Sequence, residues 1–223
     1  MATLLLRLQG PMQSWGTTSR FDERDTQLEP SKSGVLGLVC EALGRDRAEP
    51  VDDLASLRMG VRVEREGIPM RDYQTATGVV IASSGKPDLG RTVVSPRYYL
   101  SDAVFLVGLE GELAVLSRIH EALARPVWQL ALGRKSFVPS LPVYLPDGLR
   151  EQSLAQVLQA WPCLISGKSP EAPRRALLEH PSEGSVRLDQ PVAPFSERRF
   201  GPRFVKSELF FTGAAHVPNP TAA

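Results

Sequence analysis

Ser31-Lys32-Ser33-Gly34 have the residue types to seat an anion. They open an apolar run, Val35-Leu36-Gly37-Leu38-Val39-Cys40-Glu41-Ala42-Leu43, which Gly44 closes. A helix over 33–44 leaves backbone N–H groups and the positive end of its dipole at this start. Lys32 adds a cation, Ser31 and Ser33 add hydroxyls, and Gly34 permits close backbone approach. A phosphate suits such a place. An ordinary N-cap by Ser31 or Ser33 uses the same residues and is compatible with it.

Three further stretches fit a single-stranded nucleic acid. In Gly10-Pro11-Met12-Gln13-Ser14-Trp15-Gly16, Gln13 has the amide to read a base edge. Trp15 has the ring either to stack on a base or to cap the core. Arg71, Tyr73, Gln74, Arg91, Arg97 and Tyr98 interleave cations and aromatics, which suits phosphate pairing and base stacking. The alternative is an edge hairpin that uses charge against aggregation, with Asp72 and Asp102 holding some arginines. Arg134, Lys135 and Ser136 follow Gly133 in a segment, 125–142, that has no acidic residue and suits a backbone phosphate. A weaker basic cluster, Arg198, Arg199, Arg203 and Lys206 around Phe200 and Phe204, is partly neutralised by Glu197 and Glu208.

The residue types argue against catalysis. Metal-independent RNA cleavage needs a base near the 2′-OH and a donor for the leaving oxygen, usually histidine. The three histidines, His120, His180 and His216, lie away from all of these stretches. Tyr73, Tyr98 and Lys135 remain as a histidine-free alternative. Asp22, Glu23 and Asp25 read as a solvated loop rather than a metal site. Two cysteines and three histidines make a zinc site improbable, so neither metal nor cofactor is expected. There is no phosphate-binding P-loop, no nucleophile elbow and no dinucleotide fingerprint.

The elements that must position these residues follow from periodicity. Leu4, Leu6 and Leu8 alternate in a strand over 3–9, with Leu5 on its other face. Met59, Val61 and Val63 alternate with arginines in a strand over 58–66 that has one wet face. Residues 102–110 form the clearest strand, Glu112 to Ala124 an amphipathic helix, and 136–144 a further strand before Pro146. The order is βαββαβ: an α+β, ferredoxin-like (RRM-like) domain over 1–144. An insert over 67–100 interrupts it, a β-hairpin with a polar tip at Ser83-Ser84-Gly85-Lys86-Pro87. A smaller C-terminal β-rich region over 145–223 has a helix at 151–160, strands at 185–189 and 204–211, and a frayed tail after Gly213.

Composition sets outer bounds. The chain has 223 residues, enough for one large or two small domains. Its net charge of +1 excludes a strongly basic binder but not a basic face. Cys40 and Cys163 do not suggest a disulfide framework, and with no secretory leader in view a cytoplasmic setting is expected. No apolar run approaches the ~20 residues of a membrane span. Most of the 19 prolines lie from position 139 on, pointing to a loop-rich second half.

Five of these stretches resemble, in order, the CasD family of the type I-E CRISPR surveillance complex, Cascade. They are Gly10–Gly16, Pro30–Leu38, Arg71-Asp72-Tyr73-Gln74-Thr75, the run from Arg97 to Phe105, and Leu132-Gly133-Arg134-Lys135-Ser136. The resemblance spans roughly 3 to 142. It implies a non-catalytic subunit that caps the 5′ handle of the crRNA, holding it with the helix start, the 133–136 loop and the insert. The insert would be a projecting thumb against the backbone subunit CasC, with the large subunit CasA nearby. Target DNA would be met only through the assembled complex, read by the guide. Relatives in other subtypes imply the competing reading, an endoribonuclease that processes CRISPR repeat RNA.

Overall fold

The computed structural model describes residues 1–18, 23–81, 83–167 and 172–211; the expected frayed tail lies outside them. Its strands are β1 (Ala2–Gln9), β2 (Met12–Gln13), β3 (Arg58–Arg65), β4 (Ile68–Val80), β5 (Pro87–Ser101), β6 (Val104–Gly111), β7 (Tyr144–Arg150), β8 (Arg174–His180), β9 (Ser185–Pro191) and β10 (Phe200–Phe210). Its helices are α1 (Lys32–Leu43), α2 (Asp52–Ala55), α3 (Leu113–Ala124) and α4 (Leu154–Ala160). Seven strands form one sheet in the order β7-β1-β6-β3-β8-β10-β9, with antiparallel neighbours throughout. The strands after residue 145 therefore extend the sheet begun by β1.

Both faces of that sheet are covered, which explains the apolar β1. Leu4, Leu6 and Leu8 pack with α1 and α3, while Leu5 packs with Leu154, Val157 and Leu158 of α4. A strand buried on both faces reads as a continuous run rather than an alternation. Helix α1 is likewise apolar on most sides, and it ends at Gly44 in the left-handed conformation.

Three expectations are corrected. The strand placed at 136–144 begins instead at Tyr144, because Arg134 to Phe137 turn back on themselves and Pro139 and Pro142 follow. It runs through Pro146, which is tolerated because β7 is an edge strand. The wet face of β3 is dry: Arg62 and Glu64 are both fully buried and paired, and Arg62 also donates to the carbonyls of Leu158, Trp161 and Pro162. Finally, β8 is a regular strand within the second half that the prolines marked as loop-rich.

The insert forms its own small sheet. Strands β4 and β5 pair from Ile68↔Ser101 to Val80↔Pro87, and β2 pairs with β5 at the base. The arm exposes Ile68, Met70, Tyr73, Val80 and Leu89. No described helix is long and apolar enough to cross a membrane.

Candidate nucleic-acid interface

Three separate chain segments meet at the base of the hairpin. The first is the loop after β1. Its Gln13 is buried; the amide donates to the carbonyls of Ala103 at 2.8 Å and Leu8 at 3.3 Å and accepts from Trp15 Nε1 at 3.2 Å. Trp15 is 1% exposed and packs so closely on Gly34 that a Cβ there would lie 2.9 Å from its ring. Gln13 therefore has no edge left to read a base, and Trp15 is core, forming a floor rather than a stacking platform.

The second segment is the start of α1. Ser31 is the N-cap, its Oγ accepting from Gly34 N at 3.3 Å. Lys32 is not at the surface. It is 1% exposed, its Nζ is 3.0 Å from Glu179, and its backbone N–H donates to Asp189 at 2.8 Å. Asp189 also holds Arg203 through two bonds of 2.6 and 2.9 Å. The helix N-terminus that suited a phosphate thus already carries a carboxylate from β9. Burial pulls the Lys32 ammonium below its usual pKa, against the opposing pull of Glu179. Ser33 and Gly34 still face outward into the cleft described below.

The third segment is the 130–137 loop. Ser14 N donates to the Leu132 carbonyl at 3.0 Å, and Gly133 sits at φ +93° with its Cα against the Ser14 carbonyl. Only glycine fits, since a Cβ would fall 1.7 Å from that oxygen. Arg134 then reaches across, its Nη2 donating to the carbonyls of Tyr98 at 2.7 Å and Arg24 at 3.4 Å, with its guanidinium 5.2 Å from the Phe137 ring centre. Lys135 and Ser136 are exposed beside it.

Sequence reasoning missed Arg24. The 23–27 segment lies along β5, with Arg24 N donating to Pro96 O and Tyr98 N donating to Arg24 O. This brings Arg24, Arg97 and Arg134 into one another's field. Burial first, then Arg97, holds Arg134 below the ordinary arginine value; Asp72 opposes, Arg24 adds to the lowering, and Asp25 opposes. The buried Nε of Arg97 has no hydrogen-bond partner among the described residues. Asp25 is occupied, its carboxylate accepting from Thr17 N, Thr18 N and Thr18 Oγ1.

These segments enclose a cleft of about 330 Å³. It is lined by Ser14, Trp15, Gly16, Arg24, Asp25, Ser31, Ser33, Gly34, Gly133 and Arg134, together with Arg47, Phe195 and Phe200. The remaining candidates spread out. Arg97 faces Asp72 across the strand pair, and Gln74 donates to Asp72. Arg71 lies over the Tyr73 ring at 5.9 Å on the exposed arm. Arg91 is six residues beyond Arg97, about 20 Å along the strand. The C-terminal basic cluster is mostly neutralised: Arg203 pairs with Asp189, Lys206 with Glu183 and Arg199 with Glu197. Neither Arg47 nor Phe195 left a local signal.

Of the histidines, His120 bonds the Leu145 carbonyl and stacks on Tyr144, while His180 accepts from Ser182 and Glu183 N–H. His216 lies outside the described residues. Among the described residues no group of three or more His, Cys, Asp or Glu side chains could hold a metal ion.

Comparison with known proteins matches residues 3–206 to the family model described as CRISPR-associated protein (Cas_Cas5). A curated relative, the CRISPR system Cascade subunit CasD of Escherichia coli (strain K12), is 33% identical over 156 residues, 64% of this chain and 69% of its own. A solved structure titled "Crystal structure of Cas protein" superposes with a TM-score of 0.78 at 53% identity, covering 94% of this chain and 95% of that one. A chain of a solved "CRISPR RNA-guided surveillance complex" superposes with a TM-score of 0.77 at 34% identity, covering 98% and 94%. With a family model spanning nearly the whole described chain and close full-length structural neighbours, this chain belongs to the Cas5 family of CRISPR-associated proteins, on its CasD-like side.

Proposed function

We propose that this chain is a non-catalytic, cytoplasmic crRNA-binding subunit that caps the 5′ handle of the guide and helps assemble a type I-E Cascade complex. The observation that carries the reading is the convergence of Arg24, Arg97 and Arg134 beside one cleft at the root of a projecting arm. Guanidinium groups at a concave, partly dry site suit a phosphodiester backbone. Ser33, Lys135 and Ser136 add hydroxyl and ammonium donors around it, and Gly34 leaves room for close approach. Strands β7-β1-β6-β3 with α1 and α3 form the ferredoxin-like unit of this reading, and the hairpin is its thumb. The exposed apolar side chains of the thumb suit burial against a neighbouring subunit, CasC, with CasA nearby. Arg71, Tyr73 and Arg91 on the same arm would flank the RNA where it leaves the cleft. Target DNA would be met through the guide alone.

The absence of catalysis in this reading rests on the engagement of His120 and His180 elsewhere. The test is incubation of the purified chain with labelled CRISPR repeat RNA and mature crRNA, with and without EDTA. Binding without cleavage is expected, weakened by Arg24→Ala and Arg134→Ala, with the salt slope reduced by about 0.7 for each phosphate left without its arginine. Site-specific cleavage lost on Tyr73→Phe with Lys135→Ala would instead make the chain a processing nuclease.

A further inference from the structure

Part of the cleft lining is aromatic and comes from the other end of the chain. Phe200 opens β10 and Phe195 sits in the loop before it; their ring centres are 6.5 Å apart with planes at 46°. Phe195 packs against the core, whereas Phe200 is 37% exposed at the cleft. The loop is pinned in place by Arg47, whose Nη2 donates to the Phe195 carbonyl at 3.0 Å while its own carbonyl accepts from Ser196 N at 2.9 Å. An apolar ring held open at the mouth of a site lined by guanidinium groups is suited to a planar, anionic ligand unit.

The polar groups around it are largely spent on the protein. Asp25 accepts three bonds, Ser31 Oγ caps α1, and Ser14 Oγ bonds the carbonyls of Asp25 and Tyr98. The Phe200 ring face stays partly open in this lining, which it shares with the guanidinium groups of Arg24 and Arg134. A volume of about 330 Å³ is at the small end of ligand sites and takes one nucleotide, not a stacked run.

We infer that Phe195 and Phe200 form a base platform: one splayed-out base of the single strand lies on Phe200, its phosphate meets Arg24 and Arg134, and the base is held by stacking rather than by edge recognition. The inference rests on the RNA reading above and adds that this position tolerates any base but requires one. Arg47 acts as a positioning residue for the platform.

The test uses the full chain and 5′-labelled single-stranded RNAs that begin with the handle, each with one abasic nucleotide or one changed base. Stacking of a base on an aromatic side chain is worth enough to lower affinity about 5- to 150-fold when removed. One abasic position is expected to show that drop, while base changes at the same position alter affinity less than about threefold. Phe200→Ala should weaken intact RNA by a similar factor and add little for the RNA abasic at that position, the signature of a shared interaction. Phe200→Tyr should restore binding and keep the wild-type melting temperature; Phe200→Ala also loses packing on Phe195, so its binding is measured well below its lowered midpoint. If Phe200→Ala binds like wild type while Arg24→Ala and Arg134→Ala bind poorly, the platform is refuted and the RNA reading stands. If no RNA binds, or the arginine variants bind like wild type, both fall.

Discussion

Lys32→Met is expected to cost stability and to leave RNA affinity nearly unchanged. In sequence, Lys32 looks like a phosphate ligand at a helix start. In the fold it is 1% exposed and bonded to Glu179 at 3.0 Å. Removing one partner of a buried ion pair costs about 3–5 kcal/mol, because the other charge is stranded. Here Glu179 is not wholly stranded: it keeps Met59 N–H at 3.2 Å and Arg203 at 3.7 Å. Methionine fills most of the lysine volume, and the backbone bond to Asp189 is untouched. The cost should therefore fall to about 2–3 kcal/mol, the lower edge of that range and just below it. For a chain of this size each kcal/mol moves the midpoint by about 2–4 °C, giving a drop of roughly 4–12 °C. The assay is thermal unfolding paired with RNA binding measured well below both midpoints. An unchanged midpoint with RNA affinity down tenfold would refute the reasoning and return Lys32 to the surface.

Gly133→Ala should destabilise by about 2–5 kcal/mol, combining strain at a left-handed φ with displacement of the Ser14 backbone; Gly37→Ala, in the same family motifs but with open space at its Cβ, should gain up to about 1 kcal/mol. Equal midpoints for the two variants would contradict this. Asp53, bonded to Arg45 at 2.6 and 2.7 Å, is held below its ordinary pKa of 3.8 by that bond. Its contribution is present above 3.8 and lost as pH falls through the lower folded value; at this pair, whose carboxylate is partly exposed, it is about 0.2–1 kcal/mol. Wild type and Asp53→Asn should therefore differ in melting temperature at pH 6 and converge toward pH 3. Burial pushes the Cys40 thiol up to about 11, so at pH 8 it should resist alkylation in the native protein and react only on denaturation; rapid native labelling of Cys40, mapped by peptide mass, would be the contrary result.

Much of the framework was legible because it is written in local periodicity. The alternating leucines of β1, the apolar run of β6 and the amphipathic α3 all lie where their patterns place them, within a residue or two. The hairpin was legible from a polar tip between β-prone runs. What escaped depends on partners far away in the chain. Strand β8 begins Arg174-Arg175, which reads as a loop until Glu64, Glu29 and Glu66 supply the counter-charges. Arg62 read as part of a wet face because nothing near it in sequence signals that Glu64 pairs with it and α4 covers it. Lys32 has its partners on β8 and β9, about 150 residues on. The cleft shows the same division: Gly34, Gly133 and Arg134 belong to motifs visible in sequence, whereas Arg24, Arg47 and Phe195 arrive through tertiary pairing that leaves no local trace.

The central claim is that the cleft at the root of the hairpin holds the 5′ handle. The most direct measurement is photo-crosslinking of crRNA carrying 4-thiouridine at single positions, with the linked peptides identified by mass spectrometry. The account predicts that handle positions link to peptides containing Arg24, Arg134 and Phe195–Phe200, and that spacer positions do not. Handle crosslinks on α4 and Trp161, on the opposite face of the sheet, with none around the cleft, would contradict it.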